Sequence, residues 1–371
     1  MKLFEFMAKD VFRQADIPVP RGRVARTPDE AATIAAELGE VAVKAQVLAG
    51  GRGKAGGIKF AATPDEARQR AAELLGSQIQ GYTVEQVLVE EKLKIEAELY
   101  VAVTFDAGSG RPLIIASARG GVNIEEVPER DIVKRPVDIK WGLEPYAARA
   151  IASRLELRPE LVRPFSDVLV KLYRLFRRHD AELVEINPLV VTGGRLVAAD
   201  GRFNVDDEAL FRQPDLPRVS EATPLEQRVR EIGLSYVELD GEIAVMANGA
   251  GITMATIDVL ARYGGRAMNF LDAGGGAAVE PMAKAIGVLV STRPKAILVN
   301  IFGGITRCDD VARAILAVKE QQGIPVPLVV RLVGTNEEEG VRLLQEAGIQ
   351  AYRSMDEAAE RVVALAKGGA A

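Results

Sequence analysis

KAQVLAGGRGKAGG, residues 44–57, is the stretch around which the N-terminal part of the chain is organised. It holds five glycines, two lysines and one arginine, and the apolar runs 41–47 and 58–61 beside it predict strands. Glycines at this density let backbone N–H groups approach an anion closely, and the basic side chains add charge that phosphate oxygens can share. Neither the Walker pattern nor the dinucleotide fingerprint is present. We therefore interpret the stretch as a phosphate-binding loop; the alternative is a mobile basic hairpin loop that binds no ligand.

A hairpin further along the chain carries side chains that complement this basic loop. LVEINPLVVTGGRLVAAD, residues 183–200, has two apolar strands around a central Gly-Gly turn. That turn places Asn187 opposite Asp200, with Cβ atoms about 4.5–5.5 Å apart. Two residues along on the same face, it places Glu185 opposite Arg202, where the two can form an ion pair.

The facing amide and carboxylate predict a magnesium site. Mg²⁺ is usually held by one or two protein oxygens together with phosphate and water, and the hairpin supplies two such oxygens. The alternative is a solvated polar face, which is common on antiparallel hairpins. A phosphate loop and a magnesium-binding hairpin together indicate a nucleoside triphosphate, because phosphoryl transfer needs positioning and charge stabilisation.

Composition limits the classes of partner and the compartment. The 371 residues predict two or three domains. A net charge of −5 gives no sign of a nucleic-acid surface, and no apolar run reaches membrane-spanning length. The N-terminus lacks the apolar core of a signal peptide, and the single cysteine, Cys308, fits a reducing compartment. We expect a soluble cytoplasmic protein with no nucleic-acid and no membrane partner.

Strict alternation of strand and helix patterns fills the C-terminal part of the chain. Strands are predicted over 242–247, 266–271, 296–301, 326–332 and 349–352, and helices over 252–263, 279–289, 309–321, 336–347 and 356–366. Such βα units with apolar strands predict a doubly wound parallel sheet. We place an irregular segment at 204–230 and two domains at 1–228 and 229–371, the first with a lobe at about 21–95 that carries the basic loop.

Glycine-rich turns follow three of these predicted strands. They are residues 248–251, 274–276 and 303–306, and all of them lie at the strand carboxyl ends, where ligands bind in such folds. The first and third run into helices, whose N-terminal amides attract anions. This edge of the sheet is therefore expected to bind an anionic ligand, although tight turns also need glycine without any ligand.

Taken in order, these motifs resemble one known family. Lys44 with GGRGKAGG, VEINPLVV with AADGRF, ANGAG, FLDAGGG and NIFGGITRCD are similar to the beta subunits of the succinyl-CoA synthetases, or succinate–CoA ligases. The likeness covers essentially the whole chain. It implies an α/β and α+β architecture: an N-terminal ATP-grasp domain of two lobes, followed by a flavodoxin-like domain with a doubly wound parallel sheet.

For the nucleotide, the resemblance implies a site built from the basic loop, the hairpin and the segment between them. The residues implied to hold the phosphates are Lys44, Gly51, Arg52 and Gly53. Those implied at the base-binding hinge and the ribose are Glu90, Leu93 and Glu98. The implied Mg²⁺ ligands, Asn187 and Asp200, are the pair that the hairpin register already favours.

For catalysis, the resemblance implies a partner chain. An alpha subunit would carry the phosphohistidine and the CoA site; Arg52 would act on the phosphates, and Glu185 would orient the histidine. The residues implied to receive the acid are Asn248, Gly304, Ile305 and Thr306, and the helix after Asn248 would aim its positive end at the phosphohistidine. The only histidine of this chain, His179, ends a predicted helix over 159–178 and is interpreted as structural.

The implied reaction is reversible: succinate, CoA and ATP (or GTP) give succinyl-CoA, ADP (or GDP) and phosphate. The chain departs from the usual pattern at Leu48, where many members have histidine, at Arg202, where lysine is usual, and at 96–97, where Glu-Ala replaces Ala-Lys. The base therefore stays open, as does the choice between αβ and (αβ)₂ assemblies. The alternatives are a malate–CoA ligase beta subunit, a self-sufficient ATP-grasp carboxylate ligase and a nucleotide-sensing regulatory subunit.

Overall fold

Two units make up the chain in the computed structural model, which describes residues 1–220, 222–276 and 278–368. The units are Met1–Glu221 and Ala222–Ala371, whereas the boundary expected from sequence, between 228 and 229, falls inside a helix. In the described residues no helix combines the length and the apolar composition needed to cross a bilayer.

Two antiparallel sheets with helices packed on them, one of four strands and one of six, make up most of the first unit, beside a separate two-stranded hairpin. Its elements are α1 (Glu5–Gln14), β1 (Gly22–Ala25), α2 (Pro28–Leu38), β2 (Val41–Ala45), β3 (Ile58–Ala61), α3 (Pro64–Leu74), β4 (Gln78–Ile79), β5 (Tyr82–Thr83), β6 (Val87–Glu91), β7 (Ala97–Asp106), β8 (Arg111–Ser117), β9 (Ile132–Pro136), α4 (Pro145–Arg154), α5 (Pro159–Arg178), β10 (Ala181–Thr192), β11 (Arg195–Ala198) and β12 (Arg202–Val205). Short 3₁₀ turns lie at Ile124–Glu126, Glu129–Asp131 and Asp207–Arg212.

The smaller sheet has the strand order β1-β6-β2-β3 and carries α2 and α3. Thr27 and Thr63 start these helices, because each hydroxyl accepts a hydrogen bond from the amide three residues later. The strand predicted over 41–47 ends earlier, at Ala45, and residues 46–57 then form the connection to β3. We call residues 46–57 the glycine loop.

The larger sheet has the order β11-β10-β7-β8-β9, with β12 also paired to β10. Its core is filled from α5, the amphipathic helix predicted over 159–178, whose apolar stripe is buried as expected. The two hairpin glycines, Gly193 and Gly194, have φ of 55° and 71°. Positive φ at both central residues is what the tightest hairpin turn requires, and glycine adopts it without strain.

The predicted hairpin register is confirmed, but with an interruption. Thr192 pairs with Arg195 and Glu185 with Arg202. Between these pairs the ladder stops, since β11 ends at Ala198 and β12 begins at Arg202. Pro188 has no N–H to donate to a ladder, and the pairing of β10 with β7 also shifts register there. Asn187 and Asp200 therefore form no ladder pair, although the pairs on both sides of them keep the predicted register.

The second unit contains a mostly parallel sheet between helices. Its elements are α6 (Pro224–Glu231), β13 (Ser235–Glu238), β14 (Ile243–Ala247), α7 (Ala250–Arg262), β15 (Asn269–Asp272), α8 (Val279–Ser291), β16 (Ala296–Gly303), α9 (Cys308–Gln321), β17 (Leu328–Gly334), α10 (Glu337–Glu346), β18 (Ala351–Tyr352) and α11 (Met355–Ala366). The strand order is β13-β15-β14-β16-β17-β18, parallel except for β13 at the edge.

The doubly wound prediction is confirmed, because the sheet buries a separate apolar core on each face. Ala244 and Met246 of β14 lie in one core, and Ile243 and Val245 in the other. The prediction of an irregular segment over 204–230 is wrong in part. Thr223 caps α6 in a full capping box with Glu226, and β13 is a further element that the pattern did not predict.

The single cysteine is a buried structural thiol at the start of α9. Cys308 has no exposed surface, and burial raises the pKa of its thiol to about 11. Since the thiolate is the reactive form, we expect native protein at pH 8 to react with a thiol reagent far more slowly than unfolded protein does. Counting modified thiols with and without denaturant tests this; rapid native modification at the unfolded rate would contradict the burial.

Candidate functional site

A cavity of about 450 Å³ in the first unit brings together every site residue predicted for that unit. Its lining includes Lys44, Gly51, Arg52, Gly53, Glu90, Leu93, Glu98, Glu185, Asn187 and Asp200. These residues come from the smaller sheet, the glycine loop, the connection after β6, and from β7 and the hairpin of the larger sheet. The fold thus converges on one cleft from segments as far apart in sequence as β2 and β12.

Lys44 lies at the floor of this cavity among acidic groups. Its Nζ is 3.0 Å from Glu5 Oε1, 2.9 Å from Glu90 Oε2 and 2.6 Å from the carbonyl oxygen of Ala199. Burial disfavours the charged form, but the Glu5 and Glu90 carboxylates outweigh it and raise the pKa of Lys44 above its usual range. The lysine is therefore a fixed positive charge at the bottom of the cleft.

Arg52 connects the glycine loop to the hairpin. One terminal nitrogen lies 2.9 Å from Glu5 Oε2 and the other 2.7 Å from Asp200 Oδ1. Burial opposes its charge, but Asp200 and Glu5 outweigh this and raise the pKa of the guanidinium. The residue is buried, so its guanidinium is held by the protein and is not a solvated surface charge.

Two members of this site, Glu5 and Lys9, were not predicted. Lys9 Nζ lies 2.7 Å from Glu5 Oε1, from both Glu90 oxygens and from the carbonyl oxygen of Ala199. Glu5 is 2% exposed; burial raises the pKa of its carboxyl, but Lys44, Lys9 and Arg52 outweigh it and hold that pKa well below its usual range. We call Glu5, Lys9, Lys44, Arg52, Glu90 and Asp200 the ion cluster.

The sequence did contain a signal for Glu5 and Lys9. They occupy positions i and i+4 of α1, on the same stripe as the buried Ala8 and Phe12. A glutamate and a lysine placed within the apolar stripe of a helix are expected to be paired when buried.

The predicted nucleotide-base residues have different environments. The carboxylate of Glu90, expected at the base-binding hinge, is occupied by Lys9 and Lys44 within the ion cluster. Leu93 follows the end of β6 and lines the cavity, half-buried. Glu98 is also half-buried, and Gly121 approaches its carboxylate so closely that an added Cβ would lie 2.5 Å from Oε2.

Asn187 and Asp200 both line the cavity and offer oxygens that suit Mg²⁺. Asn187 accepts a hydrogen bond from the amide of Gly121 at 2.8 Å, and Asp200 accepts from the amide of Gly201 at 2.7 Å and from Arg52. Burial and the neighbouring Glu5 carboxylate raise the pKa of Asp200. Among the described residues no group of three or more His, Cys, Asp and Glu can hold a metal, but Mg²⁺ needs only one or two protein oxygens. The donor chemistry therefore fits this ion.

Glu185 does not form the predicted ion pair with Arg202, although the two residues are paired on neighbouring strands. Its Oε2 instead accepts a hydrogen bond of 2.8 Å from the hydroxyl of Tyr100. Burial raises the pKa of Glu185, while the Tyr100 hydrogen bond and the Arg202 charge oppose that shift. Tyr100 is a further site residue that the sequence did not single out.

In the second unit the predicted acid-binding residues divide into a hydrogen-bonded pair, the half-buried Asn248 and the buried Thr306, and an exposed pair. The amide of Asn248 exchanges two hydrogen bonds of 2.9 Å with the backbone of Phe302 and donates to Thr306 Oγ1 at 3.3 Å. Thr306 is 1% exposed, whereas Gly304 and Ile305 are exposed, Ile305 by 83%.

Asp272 organises the neighbouring glycine turns, and sequence reasoning missed it. At the end of β15, its Oδ1 accepts hydrogen bonds from the amides of Gly249 at 2.5 Å and Gly274 at 2.7 Å. These turns lie beside β14 and β16, where the order of the parallel strands reverses. Crevices at such switch points are the ligand sites of doubly wound folds. An aspartate directly after a strand and before a glycine run was the available signal.

Comparison with protein families gives matches over both units. A model described as ATP-grasp domain matches residues 2–191, and one described as CoA-ligase matches residues 246–365. The curated relatives include chains named succinate–CoA ligase [ADP-forming] subunit beta. The one from Methanothermobacter thermautotrophicus is 46% identical over 99% of this chain and 100% of its own length, and the one from Chloroflexus aurantiacus is 49% identical with the same coverage.

Among solved structures, the ATP citrate lyase of Methanothrix soehngenii in complex with citrate and coenzyme A has the same fold. Its TM-score is 0.77 at 20% sequence identity, and the match covers 99% of each chain. At that identity the likeness concerns the fold alone.

Proposed function

The chain belongs to the family of succinate–CoA ligase beta subunits, which combine an ATP-grasp domain with a CoA-ligase domain, and from this we propose a role for each unit. Family membership makes it a ligase subunit that uses a nucleotide substrate and acts with an alpha subunit, as the sequence motifs predicted. We propose that the first unit binds the Mg²⁺-nucleotide and that the second unit binds the acid.

The proposed reaction is the reversible formation of succinyl-CoA, ADP and phosphate from succinate, CoA and ATP. The phosphoryl group passes through an acyl phosphate and a histidine of the alpha subunit, which also binds CoA. We propose ADP rather than GDP as the product because the relatives are named ADP-forming. The observation that carries the proposal is the single cavity in which the basic loop, the hairpin acids and Glu185 meet.

In the first unit we propose that Lys44 and Arg52, with the backbone of Gly51 and Gly53, hold the nucleotide phosphates. Both cations are already fixed by carboxylates, so little reorganisation is needed when the phosphates arrive. Asn187 and Asp200 are proposed to hold Mg²⁺. When bound, Mg²⁺ neutralises charge that develops on the phosphate oxygens.

Other side chains of the first unit are proposed to complete the nucleotide site and to meet the partner. Leu93 and the segment after Glu90 contact the base, and Glu98 contacts the ribose. We propose that Glu185 receives the histidine of the alpha subunit and orients its ring by accepting a hydrogen bond, as carboxylates do for imidazoles.

In the second unit we propose that Asn248 and the segment Gly304-Ile305-Thr306 receive the acid. The exposed Gly304 and Ile305 offer an accessible edge, and Asn248 and Thr306 fix the turn behind it. The N-terminus of α7, a helix of 13 residues, is proposed to stabilise the phosphohistidine dianion. Succinate is the proposed acid, and malate is the second candidate because the motifs are shared with malate–CoA ligases.

The alpha subunit supplies the sharpest test. We expect the complex of this chain with its alpha partner to transfer label from γ-labelled ATP to a histidine of the partner in the presence of Mg²⁺, and succinate plus CoA to discharge it. GTP and malate serve as the competing substrates. A stable complex that takes up no label from either nucleotide would contradict the proposal and favour a self-sufficient ligase or a regulatory subunit.

We also propose a cytoplasmic location and no nucleic-acid partner. The chain carries one cysteine and a net charge of −5, which fits a reducing compartment and gives no basic surface for nucleic acid. Fractionation of the native host with a cytoplasmic marker checks the location.

A further inference from the structure

We propose that Tyr100 is the positioning residue for Glu185: it anchors one oxygen of the Glu185 carboxylate and leaves the other oxygen to accept a hydrogen bond from the partner's histidine. This inference rests on the proposed function of Glu185 at the nucleotide site. Tyr100 itself does not contact the phosphoryl group in this proposal, and its effect passes through Glu185.

The sheet register places the two side chains side by side. Glu185 of β10 pairs directly with Ala102 of β7, and Tyr100 lies two residues along on the same face. Diagonal neighbours of this kind are about 7–8 Å apart, within reach of an aromatic side chain. Because the directly opposed residue is alanine, the tyrosine ring has room to lean towards Glu185, and its hydroxyl donates to Oε2 at 2.8 Å.

The second oxygen of Glu185 is available to a ligand. In the described part of the chain, Glu185 Oε1 has no hydrogen bond or ion pair within the usual distances, and the side chain lines the cavity. Arg202 faces Glu185 from β12 without an ion pair, and Asp200 and Glu125 are the nearby carboxylates. The carboxylate is thus held at one end only, and its other end can meet an imidazole N–H.

The side chain of Tyr100 is itself held in a fixed position by its surroundings. The residue is 3% exposed on the central strand β7, so its ring is locked by packing. A rigid aromatic donor restricts a carboxylate to few orientations, and orientation of a group that touches the reacting histidine contributes directly to rate. A tyrosine that only filled the core would not affect phosphoryl transfer once the protein is folded.

The test uses the complete complex with the alpha partner. We expect Tyr100→Phe to slow histidine phosphorylation by Mg²⁺-ATP about tenfold, since it removes one hydrogen bond to a charged group. The return of label from the phosphorylated partner to ADP should slow equally. The Kd and the KM for ATP should not change, because Tyr100 acts on the histidine end of the site. Tyr173→Phe is the matched control: it removes a hydroxyl from another buried tyrosine of the same unit and should leave the rate unchanged.

A double-mutant cycle decides whether Tyr100 acts through Glu185. Glu185→Gln keeps an acceptor for Tyr100 and replaces the second oxygen by an N–H₂ donor. We expect the double variant to be no slower than Glu185→Gln alone. If the rate reductions of the two single variants multiply in the double variant, the residues act independently and the inference is overturned. A normal rate for Tyr100→Phe, when Glu185→Gln is slow, would overturn it as well. A normal rate for Glu185→Gln would instead contradict the proposed function of Glu185. A weaker Kd for ATP in Tyr100→Phe would assign the tyrosine a merely structural role.

Discussion

Replacement of Asp200 by asparagine is expected to reduce Mg²⁺-dependent phosphoryl transfer to the alpha partner by roughly 10²–10³-fold. The amide keeps the volume of the side chain and loses the charge that is proposed to hold Mg²⁺ beside Asn187. The measurement is the initial rate of label transfer from γ-labelled ATP to the partner's histidine. Asp65→Asn is the matched control, because Asp65 is an exposed acid of α3, paired with Arg68 on the surface, that does not line the cavity.

Asp200→Asn should slow phosphoryl transfer, but it should not weaken the binding of ATP in the absence of Mg²⁺. The ion cluster holds three cations, Lys9, Lys44 and Arg52, and three carboxylates, so the asparagine leaves it with a surplus positive charge. Arg52 also loses one of its two acidic partners. We expect metal-free ATP to bind at least as tightly as to the unmodified chain, while the gain in affinity on adding Mg²⁺ disappears. Titration calorimetry with and without Mg²⁺ measures both. If Mg²⁺ still raised the affinity for ATP as much as in the unmodified chain, Asp200 would not be a Mg²⁺ ligand.

Replacement of Lys9 by methionine is expected to destabilise the first unit by about 3–5 kcal/mol. The change removes a charge that lies within 2.7 Å of carboxylate oxygens of both Glu5 and Glu90, and it leaves those buried carboxylates without full compensation. Calorimetry of the whole chain should show a lower transition, and hydrogen exchange should locate the loss of protection in α1 and β6.

Arg13→Met provides the control for Lys9 on the same helix. Arg13 is half-exposed and pairs with an equally exposed Asp10, and such surface pairs contribute only about 0–1 kcal/mol. In addition, Glu90→Gln should restore much of the stability lost in Lys9→Met, because it removes the surplus negative charge. Equal effects of Lys9→Met and Arg13→Met would contradict the electrostatic account.

The parts of the fold that could be predicted are those fixed by local chemistry. The Gly-Gly turn determined the hairpin register, and the alternation of βα units determined the parallel sheet. The ladder along this register is interrupted at 187–188 and 199–201, since Pro188 has no N–H to donate. Asn187 and Asp200 nevertheless reach the same cavity, because the strand interruption lies at the cavity wall.

The parts that could not be predicted depend on contacts between distant segments. The ion pair of Lys9 with Glu90 joins residues 81 positions apart, and the bond between Tyr100 and Glu185 spans 85. The hydrophobic periodicity of a helix or strand does not indicate which buried charges of distant segments contact each other. In the same way, the carboxylate of Glu90 was expected to face the base, and only the position of α1 shows that cations of the protein already occupy it.

The contacts of Lys9 have a mechanical consequence for the ATP-grasp unit. Its ammonium group donates hydrogen bonds both to Glu90 of the smaller sheet and to the carbonyl of Ala199 beside the larger sheet. Lys9 therefore links the two lobes at the inner end of the cleft. The exposed contact of the glycine loop with the other lobe, Lys54 with Glu126, is a weak surface pair. Lys44 contacts the same carbonyl, and Arg52 of the glycine loop pairs with Asp200, so an opening of the cleft at its inner end has to break buried polar contacts, whereas an opening at its outer end breaks only the Lys54–Glu126 pair.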